Sequence, residues 1–248
     1  MLFSRIMPRE FGVPDFRSRF LRLTPLRLVS NAGILRDMYL AVEGVIGVGK
    51  TTLVRFLQPA FGAEICLEVF EENPFLSSFY ADRERYAFQT QIFFLLSRYH
   101  QQRRDILETV SAEKNLIVDY TFDKDAIFAR LNLAGDELEM YHRVHEALAE
   151  KIARPDLVVY LRAETNTLMK RIAQRDRSYE RNMEWEYIDQ LNHTYNAYYS
   201  EHQKNSSVLI IDTDELDFVR NPTDLDWIEN RIRQALKLSP FQPELPLT

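Results

Sequence analysis

The sequence predicts a three-layer α/β fold, a five-stranded parallel sheet flanked by helices on both faces. Three observations carry it. Short, nearly continuous apolar runs alternate with longer stretches whose apolar residues recur at a helical period, the pattern of strands covered on both sides. The first run leads into Gly44-Val45-Ile46-Gly47-Val48-Gly49-Lys50-Thr51, a G-x-x-x-x-G-K-T loop, and a helix opens at Thr52-Leu53-Val54. Two later runs end in acids, Glu68 and Asp119. Ligands of such sheets bind beyond the carboxyl ends of the strands, so the loop and both acids are expected on one rim.

Taken in order, residues 1–37 stand apart. They carry seven arginines and no lysine against Glu10, Asp15 and Asp37, a net +4 that leaves the remaining residues at −10. An Arg-rich, acid-poor start fits an organelle transit peptide; the preferred reading is a disordered extension or a start-site artefact, because Met38 begins the first core strand. The expected domain covers 38–238. Its first strand is Met38-Tyr39-Leu40-Ala41-Val42, and Glu64–Val69 forms a second. Pro74 stands near the start of a helical turn. From Arg83 to about Val110, Phe88, Ile92, Leu95, Tyr99, Ile106 and Val110 recur close to a helical period. Strands follow at Leu116–Asp119, Pro155–Leu161 and Val208–Ile211. Helices are expected at Asp136–Ile152, Thr165–Gln174, Glu184–Gln203 and Asp224–Leu238. The tail 239–248 holds Pro240, Pro243 and Pro246 and should be irregular.

Composition narrows the function. A chain of 248 residues with 46% hydrophobic content can bury one sizeable core. A net charge of −6 and a pI near 5.5 exclude a general nucleic-acid or membrane-surface binder, and no apolar run is long enough to span a bilayer. The lone Cys66 has no internal disulfide partner, so a core thiol in a reducing, cytoplasmic compartment is expected. His142 and His145 have no third ligand nearby and read as helix surface, not a metal site.

The loop chemistry is specific. Glycines let backbone N–H groups turn inward around phosphate oxygens at a helix N-terminus. Lys50 is placed to reach the β- and γ-phosphates, and the Thr51 hydroxyl to ligate Mg²⁺. The chain is expected to bind a nucleoside triphosphate. Gln91 and Arg98 lie seven residues apart, two helical turns, on one face of a helix otherwise crowded with Phe and Leu. Unpaired polar groups there would be costly, and a glutamine amide offers a base edge a donor beside an acceptor.

Four motifs make the sequence resemble the deoxynucleoside kinase family: Glu43 to Thr52; Glu68-Val69-Phe70-Glu71-Glu72-Asn73-Pro74-Phe75-Leu76; Glu84 to Gln91 continuing to Ser97-Arg98; and the series Arg171, Arg175, Arg177. The resemblance covers about residues 38–238. It implies a P-loop kinase that binds phosphates through Gly44, Val45, Gly47, Val48, Gly49, Lys50, Thr51, Thr52 and Arg177. It makes Glu68 the carboxylate that deprotonates the acceptor, assisted by Lys50 and by lid arginines Arg171 and Arg175. An alcohol acceptor needs such a base, whereas a nucleoside monophosphate does not. Gln91 and Arg98 would hold the base, with Asp125, or Asp123, paired to Arg98. Tyr80 and Glu180 would hold the sugar 3′-hydroxyl, and Asp212–Phe218 would pack around the adenine of ATP. Thr51 and Asp119 would bind the Mg²⁺ cofactor. Family members commonly form homodimers.

One departure stands out. Many members carry acid-Arg-Ser after the third strand; here it is Asp119-Tyr120-Thr121. Lys124, one helical turn further on, is expected to take over the missing arginine's role at the phosphates. The expected activity is ATP-dependent 5′-phosphorylation of a deoxynucleoside, with purines preferred because the Glu-Glu-Asn-Pro-Phe-Leu stretch is similar to bacterial deoxyadenosine and deoxyguanosine kinases. The alternatives are a thymidylate-type monophosphate kinase and a catalytically silent structural subunit; intact Lys50, Thr51, Glu68 and Gln91 speak against the second.

Overall fold

In the computed structural model the described residues are 38–69, 73–181, 183–203 and 207–238. The predicted extension 1–37, the tail 239–248 and motif residues Phe70, Glu71 and Glu72 lie outside them. Five strands, β1 (Tyr39–Gly44), β2 (Glu64–Cys66), β3 (Leu116–Val118), β4 (Leu157–Arg162) and β5 (Val208–Asp212), form one sheet in the order β2-β3-β1-β4-β5. Every pairing is parallel, so each connection must cross over through a helix. The expected fold class is the one observed. β1 is central and buried at all six positions; Ala41 pairs with Val118 on one side and Val158 on the other. Such a strand has no solvent face, which is why Leu40, Ala41 and Val42 are consecutively apolar.

The helices are α1 (Lys50–Phe61), α2 (Leu76–Ala81), α3 (Arg83–Gln101), α4 (Leu107–Ser111), α5 (Asp123–Asn132), α6 (Gly135–Ala149), α7 (Thr165–Arg175), α8 (Trp185–His202) and α9 (Pro222–Ala235). α1 buries Leu53, Val54, Leu57 and Phe61 against the sheet, an i, i+1, i+4, i+8 stripe. α3 starts where the Asp82 side chain accepts a hydrogen bond from the Arg85 N–H at 3.2 Å and satisfies one orphan donor of the first turn.

Four expectations change. The second strand stops at Cys66, three residues short of Val69, because β2 is an edge strand whose one partner among the described residues, β3, ends at Val118. The long helix predicted for 83–110 is continuous but widens to a π-helical turn over Gln102–Ile106. The pair read as helix surface divides: His145 is only 8% exposed, its ring stacked on Phe122 at 4.7 Å and its Nε2 3.2 Å from the Phe122 carbonyl. An imidazole is apolar enough to pack once its polar tip finds a partner. Cys66, expected in the core, is half-buried at the core's margin; burial pushes its thiol up to about 12.

Candidate active site

The loop between β1 and α1 shows why its glycines are needed. A Cβ on Gly44 would sit 2.5 Å from the Leu161 carbonyl oxygen of β4. Gly47 has φ +88, and a Cβ there would meet Ile172 at 2.7 Å and the Leu168 carbonyl at 2.9 Å, both on α7. Gly47, Val48, Gly49, Lys50, Thr51 and Thr52 line a cleft of about 730 Å³. Across it stand Lys170, Arg171, Arg175 and Arg177 from the α7 end and Asp214–Arg220 after β5. Gly44 and Val45 lie deeper, and their carbonyls accept from Lys50 Nζ at 2.7 and 3.2 Å. Burial, with the nearby charge of Lys124, lowers the Lys50 ammonium to about 8. A phosphate oxygen would relieve that penalty.

The three supposed lid arginines are used differently. Arg171 donates to the Val48 carbonyl (3.3 Å), the Thr213 hydroxyl (2.9 Å) and the Thr213 carbonyl (2.6 Å). It braces the phosphate loop against the segment after β5 through Nη1 and Nη2 while lining the cleft. Arg175 grips Glu180 with both ends of its guanidinium, and Arg177 stands 3.7 Å from the same carboxylate. Glu180 is therefore tied to Arg175 and Arg177 at the end of α7.

A second cavity, about 110 Å³, opens beside the first. Gly47, Lys50, Thr51, Arg175 and Arg177 line both. Its walls bring together Glu68, Tyr80, Gln91, Phe94, Arg98, Asp119, Lys124, Phe128 and Glu180, uniting residues expected to hold base and sugar. Gln91 and Arg98 share the inward face of α3, 2% and 5% exposed, while Gln89 points to solvent. Tyr80 stacks on Tyr179 with ring centres 6.2 Å apart.

Glu68 sits at the hub. Arg98 donates to Oε1 through Nε (3.0 Å) and Nη2, and Lys124 Nζ donates to Oε2 at 2.6 Å. Burial alone would raise this carboxyl; the charges of Lys124 and Arg98 outweigh it and hold it well below the ordinary range. Glu68 is thus ionised at neutral pH. Arg98 also pairs with Asp125, the partner named first from sequence. Burial pushes Asp125 up to about 7, against the pull of the guanidinium. Lys124, expected at the phosphates, is engaged with the carboxylate instead.

Thr51 and Asp119, the expected Mg²⁺ ligands, touch: the Thr51 hydroxyl donates to Asp119 Oδ2, while Oδ1 accepts the Glu68 N–H at 2.7 Å. Two hard oxygen donors next to a phosphate cradle fit Mg²⁺, which takes few protein ligands and completes its octahedron with phosphates and water. Among the described residues no group of three or more His, Cys, Asp and Glu is arranged to hold a metal alone.

Sequence reasoning missed two supports. Glu43, wholly buried, accepts from the Gly44 N–H, the Thr121 N–H and hydroxyl, and the Tyr195 hydroxyl. It staples the phosphate loop to the segment after Asp119; an acid ending an otherwise apolar strand was the available signal. Gln101 donates to the Leu67 carbonyl at 2.9 Å, and its place one turn beyond Arg98 could have marked it.

Comparison with known proteins gives the family. The family model described as Deoxynucleoside kinase matches residues 40–237. A deoxyguanosine kinase of Bacillus subtilis is 33% identical over 201 residues, 80% of this chain and 97% of that protein. A deoxyadenosine kinase of Dictyostelium discoideum is 32% identical over 170 residues, 66% of each. The structure of deoxyadenosine kinase from M. mycoides with bound dCTP superposes with a TM-score of 0.68 at 30% identity, covering 79% of this chain and all of that one. With a phosphate loop and a buried carboxylate meeting at Lys50, and with the family's pattern running through the whole sheet, the chain belongs to the deoxynucleoside kinase family and is a nucleoside-phosphorylating enzyme.

Proposed function

We propose that this enzyme transfers the γ-phosphoryl group of ATP to the 5′-hydroxyl of a deoxynucleoside, releasing ADP and the deoxynucleoside monophosphate. The observation that carries the reading is the pair of cavities joined at Lys50 and Thr51, one lined by backbone and cations, the other holding Glu68. The larger suits a triphosphate, and the smaller carries the side chains that would meet a sugar and its base. Glu68 Oε2 takes the hydroxyl proton as the O5′–P bond forms and the bond from the γ-phosphorus to the bridging oxygen breaks. The leaving electrons stay on ADP. Lys50 and Arg175 oppose the charge spread over the transferring group, a contribution of about 10²–10³ in rate for each well-placed donor. Mg²⁺, held by Thr51 and Asp119, would neutralise phosphate charge. As Glu68 gains its proton, Lys124 loses its anion and can turn to the phosphoryl oxygens; unchanged turnover in Lys124→Ala would contradict that role.

Purine deoxynucleosides are the proposed acceptors, supported by relatives named for deoxyguanosine and deoxyadenosine. A homodimer and a cytoplasmic setting complete the reading; exposed Leu96 on α3 and Met140 on α6 are apolar groups that a partner subunit could cover. Among the described residues no helix is long and apolar enough to cross a membrane. The deciding experiment offers the four deoxynucleosides with ATP and Mg²⁺ and follows ADP release. Phosphorylation of a monophosphate alone would overturn the proposal.

A further inference from the structure

Glu68 hangs on very little regular structure. The β2–β3 ladder ends at the Cys66–Val118 pair, and β2 is the sheet's edge. Leu67 and Glu68 therefore extend past the last rung, and side chains take over the main-chain hydrogen bonds. Asp119 Oδ1 accepts the Glu68 N–H at 2.7 Å, and Gln101 Nε2 donates to the Leu67 carbonyl at 2.9 Å. These two groups belong to one peptide unit. A peptide is a rigid plane, so holding its oxygen and its N–H from opposite sides sets its rotation and the direction in which the Glu68 side chain leaves the backbone.

The helix is shaped for this. Arg98 and Gln101 are one turn apart on α3, so one face grips the carboxylate and, below it, the peptide that carries it. Immediately after Gln101 the helix widens into the π-helical turn, a departure frequent at functional sites. There Gln102, its neighbour, also turns inward, 1% exposed, and donates to the Tyr39 hydroxyl at 3.4 Å. Two consecutive glutamines thus serve different partners.

We propose that Gln101 is a positioning residue for phosphoryl transfer: by fixing the Leu67–Glu68 peptide it aims the Glu68 carboxylate at the acceptor hydroxyl. The inference rests on the reading of Glu68 as the base. Loss of the amide donor frees the peptide plane to rock, and misplacing a reacting group by a fraction of an ångström to an ångström costs about 10- to 100-fold. The test is steady-state kinetics on the full chain for Gln101→Leu, Gln101→Lys, Glu68→Gln and the double variant Glu68→Gln/Gln101→Leu. Gln101→Leu should lower kcat by about tenfold or more while both KM values stay within about twofold. Gln101→Lys, which restores a donor of similar reach, should recover most of the loss. On the Glu68→Gln background the leucine should cost nothing further, because there is no base left to aim. An unchanged kcat in Gln101→Leu, or an equal loss with and without Glu68, overturns the proposal and leaves Glu68 as the base. An unaltered rate in Glu68→Gln overturns the base reading itself. Where Gln101→Leu does not fold, Gln101→Ala supplies the same contrast.

Discussion

The two halves of the cleft are made of opposite materials. The half proposed for the triphosphate is a cavity of about 730 Å³, lined by the loop residues Gly47 to Thr52 and edged by cations whose side chains are about one-third exposed, 34% for Arg175 and 33% for Arg177. The nucleoside half is about 110 Å³ and set among Glu68, Arg98, Lys124 and Asp125, whose side chains are at most 12% exposed. Buried charges survive only when each has its partner, so the nucleoside half holds its ions in pairs before substrate arrives, with Asp125 Oδ2 alone left without a hydrogen bond among those four side chains. The triphosphate half is paired less deeply: Arg175 and Arg177 share one carboxylate, Glu180, and a polyanionic ligand would bring its own anions. A neutral nucleoside must be recognised by shape; a polyanion can be gathered by groups that move.

The largest effect should come from breaking the paired half. Arg98→Leu strands the buried Asp125 and leaves Glu68 with Lys124 alone, and should cost about 3–5 kcal/mol of unfolding free energy, measured by urea denaturation; a loss below about 1 kcal/mol would mean that the buried network is far looser than its geometry. Next, Lys50→Met should lower kcat by about 10²–10³-fold yet leave nucleoside binding, followed by calorimetry, unchanged. If nucleoside affinity collapsed as well, the halves would not be separable.

The same lysine gives a pH signature. Burial lowers it to about 8, against about 10.4 in an unfolded chain. Between those values the unfolded state binds more protons, so stability should rise with pH across that window, and Lys50→Met should remove the rise. Gly47→Ala, whose Cβ would strike α7, should raise the KM for ATP by about tenfold, roughly 1.4 kcal/mol of strain and misplacement, and spare the KM for the nucleoside. Smallest should be Arg177→Ala, a loss of a few-fold that shrinks with added salt because a part-exposed cation is screened.

Legibility divides along similar lines. The phosphate loop was readable because its function is local: eight consecutive residues dictate a turn, a helix start and an ammonium. Gln91 and Arg98 were readable because helical spacing puts them on one face whatever that face meets. Arg171 was not, because a charge on a helix says nothing of whether its donors end on a ligand or, as here, on Val48 and Thr213. His145 failed for a related reason. Its burial depends on Phe122, 23 positions away, and not on its neighbours in α6.

By itself, then, the sequence determined the parallel sheet, the glycine-rich loop that opens α1 and the acids that emerge beyond the strands, all properties of short windows where backbone geometry and apolar periodicity decide. Only the tertiary structure decided which group each carboxylate meets: Glu68 an arginine, Arg98, at a separation of 30 residues, Asp119 the Thr51 hydroxyl at 68, Glu43 the Tyr195 hydroxyl at 152. Such pairings depend on how crossover helices lie over the sheet, and a buried ion chooses its partner by distance through space.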